Sequence, residues 1–262
     1  MTGARYRIDS GLGLLEAMSV GRRDVVSVVG AGGKTTLVYA LAIELRKRGL
    51  SVVVTSTTHM QMPPTATTAP PLVVAEEEDN WLTTLKTRIA RYGAATLVER
   101  RQRDDKLEGI DVVTVDPLRS LADTILIEAD GARSRSLKAP AAHEPVVPDE
   151  TTTVVVLAGM DVLGATLDEE HVHRLEQVLR LTGAARGGRV SETIIADCII
   201  QGYLPRLPRQ ARSLVLLNKA SEGRLQASET LARMLVERGA AEVLFGEALK
   251  PHQCFYRVKA LG

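Results

Sequence analysis

The stretch Asp24-Val-Val-Ser-Val-Val-Gly-Ala-Gly-Gly-Lys-Thr-Thr36 decides the fold class of this 262-residue chain. Its first half, residues 24–29, is a β-branched run typical of a buried parallel strand. After the glycine-rich turn, residues 37–48 place leucines at i, i+4 and i+8, which predicts a helix. A second β-branched run covers residues 51–55. The order strand, glycine loop, helix, strand predicts a βαβ unit.

The same alternation continues after this unit and predicts a doubly wound α/β fold with a mostly parallel sheet. We expect a single domain over residues 1–262, with a helical insertion at 160–210 and an exposed loop at 57–71, which is rich in Thr and Pro. The further predicted strands are 72–75, 95–98, 124–128, 153–157, 213–217 and 242–245, and the predicted helices lie near 79–91, 117–121, 168–181, 191–200 and 222–238.

Composition narrows the range of partners. The 33 basic and 32 acidic side chains nearly cancel, which disfavours nucleic acid as the main ligand. No apolar run reaches the roughly 18 residues of a membrane helix, and the N-terminus is too polar for a signal peptide. Cys198 and Cys254 are far apart in the sequence, so we expect two buried, reduced thiols. We therefore expect a cytoplasmic protein without a membrane or nucleic-acid partner.

The glycine-rich turn is a candidate phosphate-binding loop. Glycines let backbone N–H groups surround an anion, Lys34 can reach the terminal phosphates, and Thr35 can ligate Mg²⁺. Val28 stands where the full consensus has glycine, so the loop is a shortened variant similar to that of Mur-ligase-like ATP-binding domains. The expected cofactors are Mg²⁺ and ATP or GTP. The predicted nucleotide-binding residues here are Gly30, Ala31, Gly32, Gly33, Lys34, Thr35 and Thr36.

A second motif lies where the apolar strand 124–128 ends in carboxylates. Glu128 or Asp130 can hold Mg²⁺ there, while the other orients a nucleophile or contacts the γ-phosphate. We predict Lys34, Glu128 and Asp130 as catalytic residues, and Thr35 and Asp130 as metal ligands. The division of roles between the two carboxylates stays open, and Asp-Gly is also a common turn former.

Several cations and histidines are candidates for contact with a second substrate. Arg133, Arg135 and Lys138 follow the carboxylates and can bind a second anion, although solvated surface charge is an equal alternative. His59 follows the second strand at the edge of the sheet where ligands bind. His171 and His173 are close to acidic residues, but we favour helix capping there over metal binding.

A later motif concerns the nucleotide base. Asn218 and Lys219 follow an apolar strand and resemble the Asn-Lys-x-Asp element with which GTPases bind guanine. Ser221 replaces the aspartate, so the carboxylate that would accept the guanine protons is missing. Asn218 and Lys219 can still flank a base, and the choice of base stays open.

Several strings in this order resemble one family. They are Val28-Val-Gly-Ala-Gly-Gly-Lys-Thr-Thr36, Thr57-Thr-His-Met60, Lys106-Leu-Glu-Gly109, Ile127-Glu-Ala-Asp-Gly131, Leu137-Lys-Ala-Pro140, His143-Glu-Pro145 and His171-Val-His-Arg174. The chain resembles the YqeC family, regarded as accessory proteins of selenium-dependent molybdenum hydroxylases. Leu175 and Ser221 depart from the family pattern, which has proline and aspartate there. The resemblance implies a P-loop nucleotide-binding protein that acts in maturation of such a hydroxylase.

Two functions of different classes are compatible with these residues. In the first, the protein is an NTPase, phosphotransferase or ligase that hydrolyses or transfers a γ-phosphoryl group. In the second, it is a nucleotide-gated chaperone that delivers cofactor to a client hydroxylase and hydrolyses little by itself.

Overall fold

The structure is a computed structural model that describes residues 6–62, 69–103, 105–248 and 254–260. Its strands are β1 (Tyr6–Leu12), β2 (Val25–Gly30), β3 (Val52–Ser56), β4 (His59–Gln61), β5 (Leu72–Val74), β6 (Ala94–Val98), β7 (Arg100–Arg103), β8 (Lys106–Glu108), β9 (Thr124–Glu128), β10 (Leu137–Lys138), β11 (Thr153–Gly159), β12 (Val172–His173), β13 (Arg212–Asn218), β14 (Glu242–Phe245) and β15 (Phe255–Ala260).

The helices alternate with these strands along the chain. The α-helices are α1 (Leu14–Met18), α2 (Lys34–Lys47), α3 (Trp81–Tyr92), α4 (Val115–Leu118), α5 (Leu175–Thr182), α6 (Glu192–Asp197) and α7 (Leu225–Glu237). A π-helical turn covers Cys198–Tyr203, and short 3₁₀ turns cover Ala75–Glu77, Val112–Thr114, Met160–Val162, Leu204–Arg206 and Glu222–Arg224.

One large sheet organises the described part of the chain. Its strand order is β1-β15-β14-β13-β11-β2-β9-β3-β6-β5, and all neighbours from β14 to β5 are parallel. β15 runs antiparallel to both β14 and β1 at one edge. This confirms the predicted doubly wound, mostly parallel α/β fold. Because β2 and β9 are neighbours, with Val28 opposite Glu128, the glycine loop and the carboxylates meet at one edge of the sheet.

The sheet has an apolar layer on each face. Successive side chains of a strand point to opposite faces, so Val25 and Val29 of β2 pack in one cluster while Val26 and Val28 pack in the other. α2 covers the second face with leucines that include the fully buried Leu41. The aliphatic residues thus form the core, as expected from a chain with 3% aromatic residues.

The predicted helix at 168–181 is wrong over its first half. α5 begins only at Leu175, because the preceding residues form a turn and the strand β12, which pairs with β10. Arg174 has a left-handed φ of 60° and separates β12 from α5. The predicted helix near 117–121 is the short α4, which ends at Leu118.

Other differences between the predicted and the observed elements lie in polar segments of the chain. The predicted loop 57–71 contains the strand β4, which pairs with β8, and its residues 63–68 lie outside the described residues. β1, β7, β8 and β15 were not predicted, because they lie at or next to an edge of the large sheet or in the small β4-β8-β7 sheet, and they lack the long apolar runs of the central strands. Cys198 is buried as predicted, but Cys254 is exposed. No helix in the described ranges is both long and apolar enough to cross a membrane.

Shortening one side chain of α2 tests whether this helix packs against the sheet as described. Leu41→Ala should lower the free energy of unfolding by about 2–5 kcal/mol, because a fully buried leucine leaves a cavity. Leu82→Ala on α3 is the matched control: Leu82 is 37% exposed, so the change should be within about 0.5 kcal/mol. Urea titration of both variants checks this, and equal losses would contradict the described packing of α2.

Candidate functional site

The glycine loop turns tightly against the end of β11. Gly30 and Gly32 have φ values of 93° and 100°, and a Cβ on them would lie 2.2 Å from the Leu157 oxygen and 2.4 Å from the Gly159 nitrogen. Only glycine fits at such contacts, because both backbone conformation and space exclude a side chain. The sequence therefore dictates how closely this loop approaches its neighbouring strand.

The loop's own amides are largely used inside the protein. The N–H groups of Gly30, Ala31 and Gly32 donate to the Asp130 carboxylate, the Leu157 carbonyl and the Arg135 carbonyl. The sequence predicts that these amides surround an anion, but the three internal bonds occupy them. The remaining donors are those of the first turn of α2, which begins at Lys34 and has no intrahelical partners for its first N–H groups.

Lys34 folds back over the loop. Its ammonium donates to the Gly30 carbonyl at 2.7 Å and lies 3.2 Å from an oxygen of Asp130 and 3.8 Å from one of Glu128. The lysine is buried. The loop carbonyl and the two carboxylates thus hold the Lys34 ammonium in one position at the start of α2.

Thr35 is adjacent to the other strand-end carboxylate. Its hydroxyl donates to Glu128 at 2.7 Å, and Glu128 is the last residue of β9. Burial raises the pKa of Glu128 above its ordinary value, and the Lys34 ammonium and the Thr35 hydroxyl offset this only in part. The hydroxyl and carboxylate oxygens together are the hard oxygen donors that Mg²⁺ prefers.

Asp130 has a different position from the one we predicted for a metal ligand. It is fully buried below the loop, where one oxygen accepts from Gly30 N–H at 3.0 Å and from the Tyr203 hydroxyl at 2.8 Å. Burial alone would raise its pKa, but Lys34, Lys138 and these hydrogen bonds hold the pKa below its ordinary value. Because its oxygens face the protein interior, Glu128 and not Asp130 is the carboxylate beside Thr35.

Lys138 continues the buried network. The sequence predicts it as a contact for a second anion or as solvated surface charge, yet it lies in β10, buried, with its ammonium 3.0 Å from Asp130 and 2.9 Å from Glu144. It also donates to the Gly131 carbonyl. Glu144 in turn accepts from Arg174 at 2.8 Å. Lys138 has internal partners and, unlike Lys34, does not line the cleft described below, in contrast to our prediction of a substrate contact.

A single cleft of about 1600 Å³ contains the start of α2 together with most of the predicted second-substrate residues. His59, Arg133 and Arg135, which the sequence predicts as contacts for a second substrate, all line this cleft. His173 and Arg174 line it as well, although the sequence analysis did not assign them to substrate.

Asn218 and Lys219 also reach the loop region, at the end of β13. The Asn218 amide donates to the Gly32 carbonyl at 2.9 Å, and its oxygen accepts from Ala248 N–H at 3.1 Å. The Lys219 ammonium contacts Ser136 and Asp161 at 2.8 and 2.7 Å and lines the cleft. Asn218 thus holds the glycine loop in place, and contact with a nucleotide base stays a prediction for both residues.

Two important residues were missed by sequence analysis. Tyr203 sits at the end of the π-helical turn, 73 positions from its partner Asp130, and no sequence pattern links the two. Glu144 lies in the string His143-Glu-Pro145, which we quoted only for its resemblance to a family.

The acidic residues near His171 cap a turn. Asp168 accepts from the N–H groups of Glu170 and His171 and from the His171 ring at 2.7 Å. The side chains of Asp168, Glu170 and His171 come within 4.8 Å of one another, but the group is partly or fully exposed and each bond is local. The arrangement agrees with our preference for capping, although the cap belongs to a turn and not to a helix.

Comparison with known proteins places the chain in a family. Residues 26–176 match the model of the family described as YqeC protein. The chain is 32% identical over 213 residues to the uncharacterized protein YqeC of Escherichia coli (strain K12), which covers 77% of this chain and 78% of that protein. The chain therefore belongs to the YqeC family, which confirms the resemblance seen in the sequence.

Two solved structures are distantly similar to this chain. The signal recognition particle receptor FtsY from Elizabethkingia anophelis is 16% identical with a TM-score of 0.36, over 88% of this chain and 62% of that chain. FtsY from Mycoplasma mycoides is 11% identical with a TM-score of 0.27, over 79% and 47%. This chain spans less than two thirds of the length of either FtsY chain. Similarity at this level supports no inference about activity.

His173, which lines the cleft, should make the stability of the folded protein depend on pH. Burial, followed by the nearby charges of Lys138, Arg174 and Arg133, lowers the pKa of its imidazole from 6.5 to about 4. Between these values the unfolded chain binds a proton that the folded protein does not. The free energy of unfolding should therefore fall as the pH drops from about 6.5 to about 4.

His173→Gln should make this fall smaller, since glutamine does not titrate. Urea titrations over this pH range measure the slope for wild type and variant. At about pH 8 the imidazole is neutral in both states, so a difference there reports lost packing alone. Identical slopes below pH 6.5 would show that His173 is not held neutral in the folded protein.

Proposed function

We propose that the protein binds a Mg²⁺–nucleoside triphosphate, ATP or GTP, in the cleft at the start of α2. The observation that carries this proposal is the buried Lys34 ammonium beside the Thr35–Glu128 hydrogen bond. The free N–H groups at the N-terminus of a 14-residue helix add a partial positive charge at the same place. Cation, amide donors and hard oxygen ligands are the three requirements of a triphosphate–metal site.

The residues present fit Mg²⁺. Thr35 and Glu128 would hold the ion, with its remaining positions taken by water and phosphate oxygens. When bound, Mg²⁺ neutralises charge on the phosphates. A neighbouring cation favours the ionised form of Glu128, whose pKa is raised by burial, so metal binding should weaken as the pH falls.

The proposed reaction is hydrolysis or transfer of the γ-phosphoryl group. Lys34 would stabilise charge that develops on the transferred group, and Glu128 would orient the metal. Asp130, which we predicted as a catalytic residue, would act by fixing the loop through Gly30 and by holding Lys34. Other residues of the cleft would bind the second substrate, which is the acceptor if the phosphoryl group is transferred.

The biological role proposed here is maturation of selenium-dependent molybdenum hydroxylases, in the cytoplasm. Its support is membership of the YqeC family together with the role that this family is expected to have. A cytoplasmic location is consistent with two free cysteines that form no disulfide with each other.

A nucleotide-gated chaperone is the alternative function. The glycine loop and the cleft wall are directly joined: Gly32 N–H donates to the Arg135 carbonyl, and Ser134 of the same wall accepts from Gln61 of β4. A change at the loop would therefore reach residues that a client protein can contact. Turnover without a client favours the enzyme, whereas turnover only with a client hydroxylase favours the chaperone.

Thermal unfolding with ATP, GTP and CTP, with and without Mg²⁺, tests the nucleotide site. A ligand at about 100 times its dissociation constant stabilises the folded state by about 2.7 kcal/mol. For a chain of this size the unfolding midpoint should rise by about 5–10 °C. Lys34→Ala should remove the rise, because the variant lacks the ammonium that would contact the phosphates.

Lys47→Ala is the control for this experiment. Lys47 is at the other end of the same helix, exposed and paired with Glu44, so its removal should leave the shift unchanged. A shift of equal size in wild type and Lys34→Ala, or none with any nucleotide, would contradict the site.

A further inference from the structure

The cleft has more room and more positive charge than a triphosphate site alone requires. Its volume of about 1600 Å³ exceeds the 300–1000 Å³ range of most small-ligand pockets. Its carboxylates are already paired within the protein. Each of the following acidic groups of the lining has a cationic partner: Asp105, Glu128, Glu144, Glu169 and Glu176.

Two arginines of the lining keep capacity for an anion. Arg133 is exposed in the cleft and forms no ion pair with a carboxylate of the described residues. Arg174 donates one bond from Nη2 to Glu144, and its side chain, 27% exposed, lines the cleft. A guanidinium has five N–H donors, so after one bond to Glu144 others remain for a planar or tetrahedral oxyanion, which can accept two bonds from one guanidinium.

The backbone at both arginines is in an unfavourable conformation. Arg133 and its neighbour Ser134 have φ values of 47° and 61°, and Arg174 has a φ of 60°. None of the three is a residue that adopts the left-handed region readily. Such conformations persist where the surrounding structure imposes them, and they are concentrated at ligand-binding sites.

His173 lies near both arginines. It lines the same cleft, and both Arg133 and Arg174 are near enough to disfavour its protonation. A neutral imidazole can donate one hydrogen bond and accept another, so it can hold a ligand hydroxyl or a protonated oxygen beside the guanidinium groups.

We infer that Arg133, His173 and Arg174 bind an oxyanion group, a carboxylate or a phosphate, of a second, small-molecule substrate. The role as second substrate rests on the proposed nucleotide site, whereas oxyanion binding by itself does not. A small molecule is favoured over a macromolecule, because these groups lie inside the cleft and Arg174 is only 27% exposed. Lys138 is not part of the site, since its side chain is fully buried and does not line the cleft.

Calorimetric titration with inorganic phosphate and with succinate tests the inference on the full-length protein. Wild type should bind at least one of the two probes in the millimolar range, and the probe that binds identifies the group. Arg133→Gln should weaken this binding by about 10- to 100-fold, the effect of losing a charge-assisted hydrogen bond. Arg119→Gln is the control and should bind like wild type, because Arg119 is an exposed arginine that directly follows α4 and lies outside the cleft lining.

Lys34→Ala separates this site from the nucleotide site. Phosphate or succinate binding that persists in Lys34→Ala and is lost in Arg133→Gln supports the inference, even if wild type binds no nucleotide. Phosphate binding that is lost in Lys34→Ala and unchanged in Arg133→Gln would place the ion on the glycine loop and overturn the inference. Absence of binding by wild type with both probes would overturn it too.

Discussion

The Asp130 carboxylate lies fully buried under the glycine loop, between the ammonium groups of Lys34 and Lys138. An isolated charge in such a place would be very costly, so both lysines and the Gly30 and Tyr203 donors are needed to keep it ionised. The loop, the strand β10 and the π-helical turn must therefore meet at one point. This constraint fixes the position of Lys34, on which the proposed chemistry depends.

The two strand-end carboxylates differ because their surroundings differ. Asp130 faces inward and has a lowered pKa, whereas burial with fewer partners raises the pKa of Glu128. A bound cation would favour the ionised form of Glu128, which suits metal binding, whereas the lowered pKa of Asp130 suits a structural anchor between two lysines. The same balance extends through Lys138 and Glu144 to Arg174 in the cleft wall. Nucleotide and second substrate would thus contact opposite ends of one buried network.

The local part of this arrangement could be predicted from sequence. The βαβ unit, the glycine loop and the carboxylates after β9 follow from patterns within a few residues, and parallel pairing brings strand ends together. The roles of Glu128 and Asp130 could not be predicted, because alternation along a strand does not tell which side chain meets Thr35. Tyr203 and the burial of Lys138 depend on contacts between distant segments, which leave no periodic signal.

Nucleotide affinity with Mg²⁺ and with a chelator, compared between wild type, Glu128→Gln and Asp130→Asn, tests the central claim most directly. The account predicts that Mg²⁺ strengthens binding in wild type and that Glu128→Gln binds nucleotide equally with and without the ion. Asp130→Asn should be less stable, because Lys34 and Lys138 lose the buried carboxylate that compensates their charge. The folded fraction of this variant should still bind nucleotide more tightly with Mg²⁺. An unchanged Mg²⁺ response in Glu128→Gln, together with its loss in Asp130→Asn, would contradict the assignment.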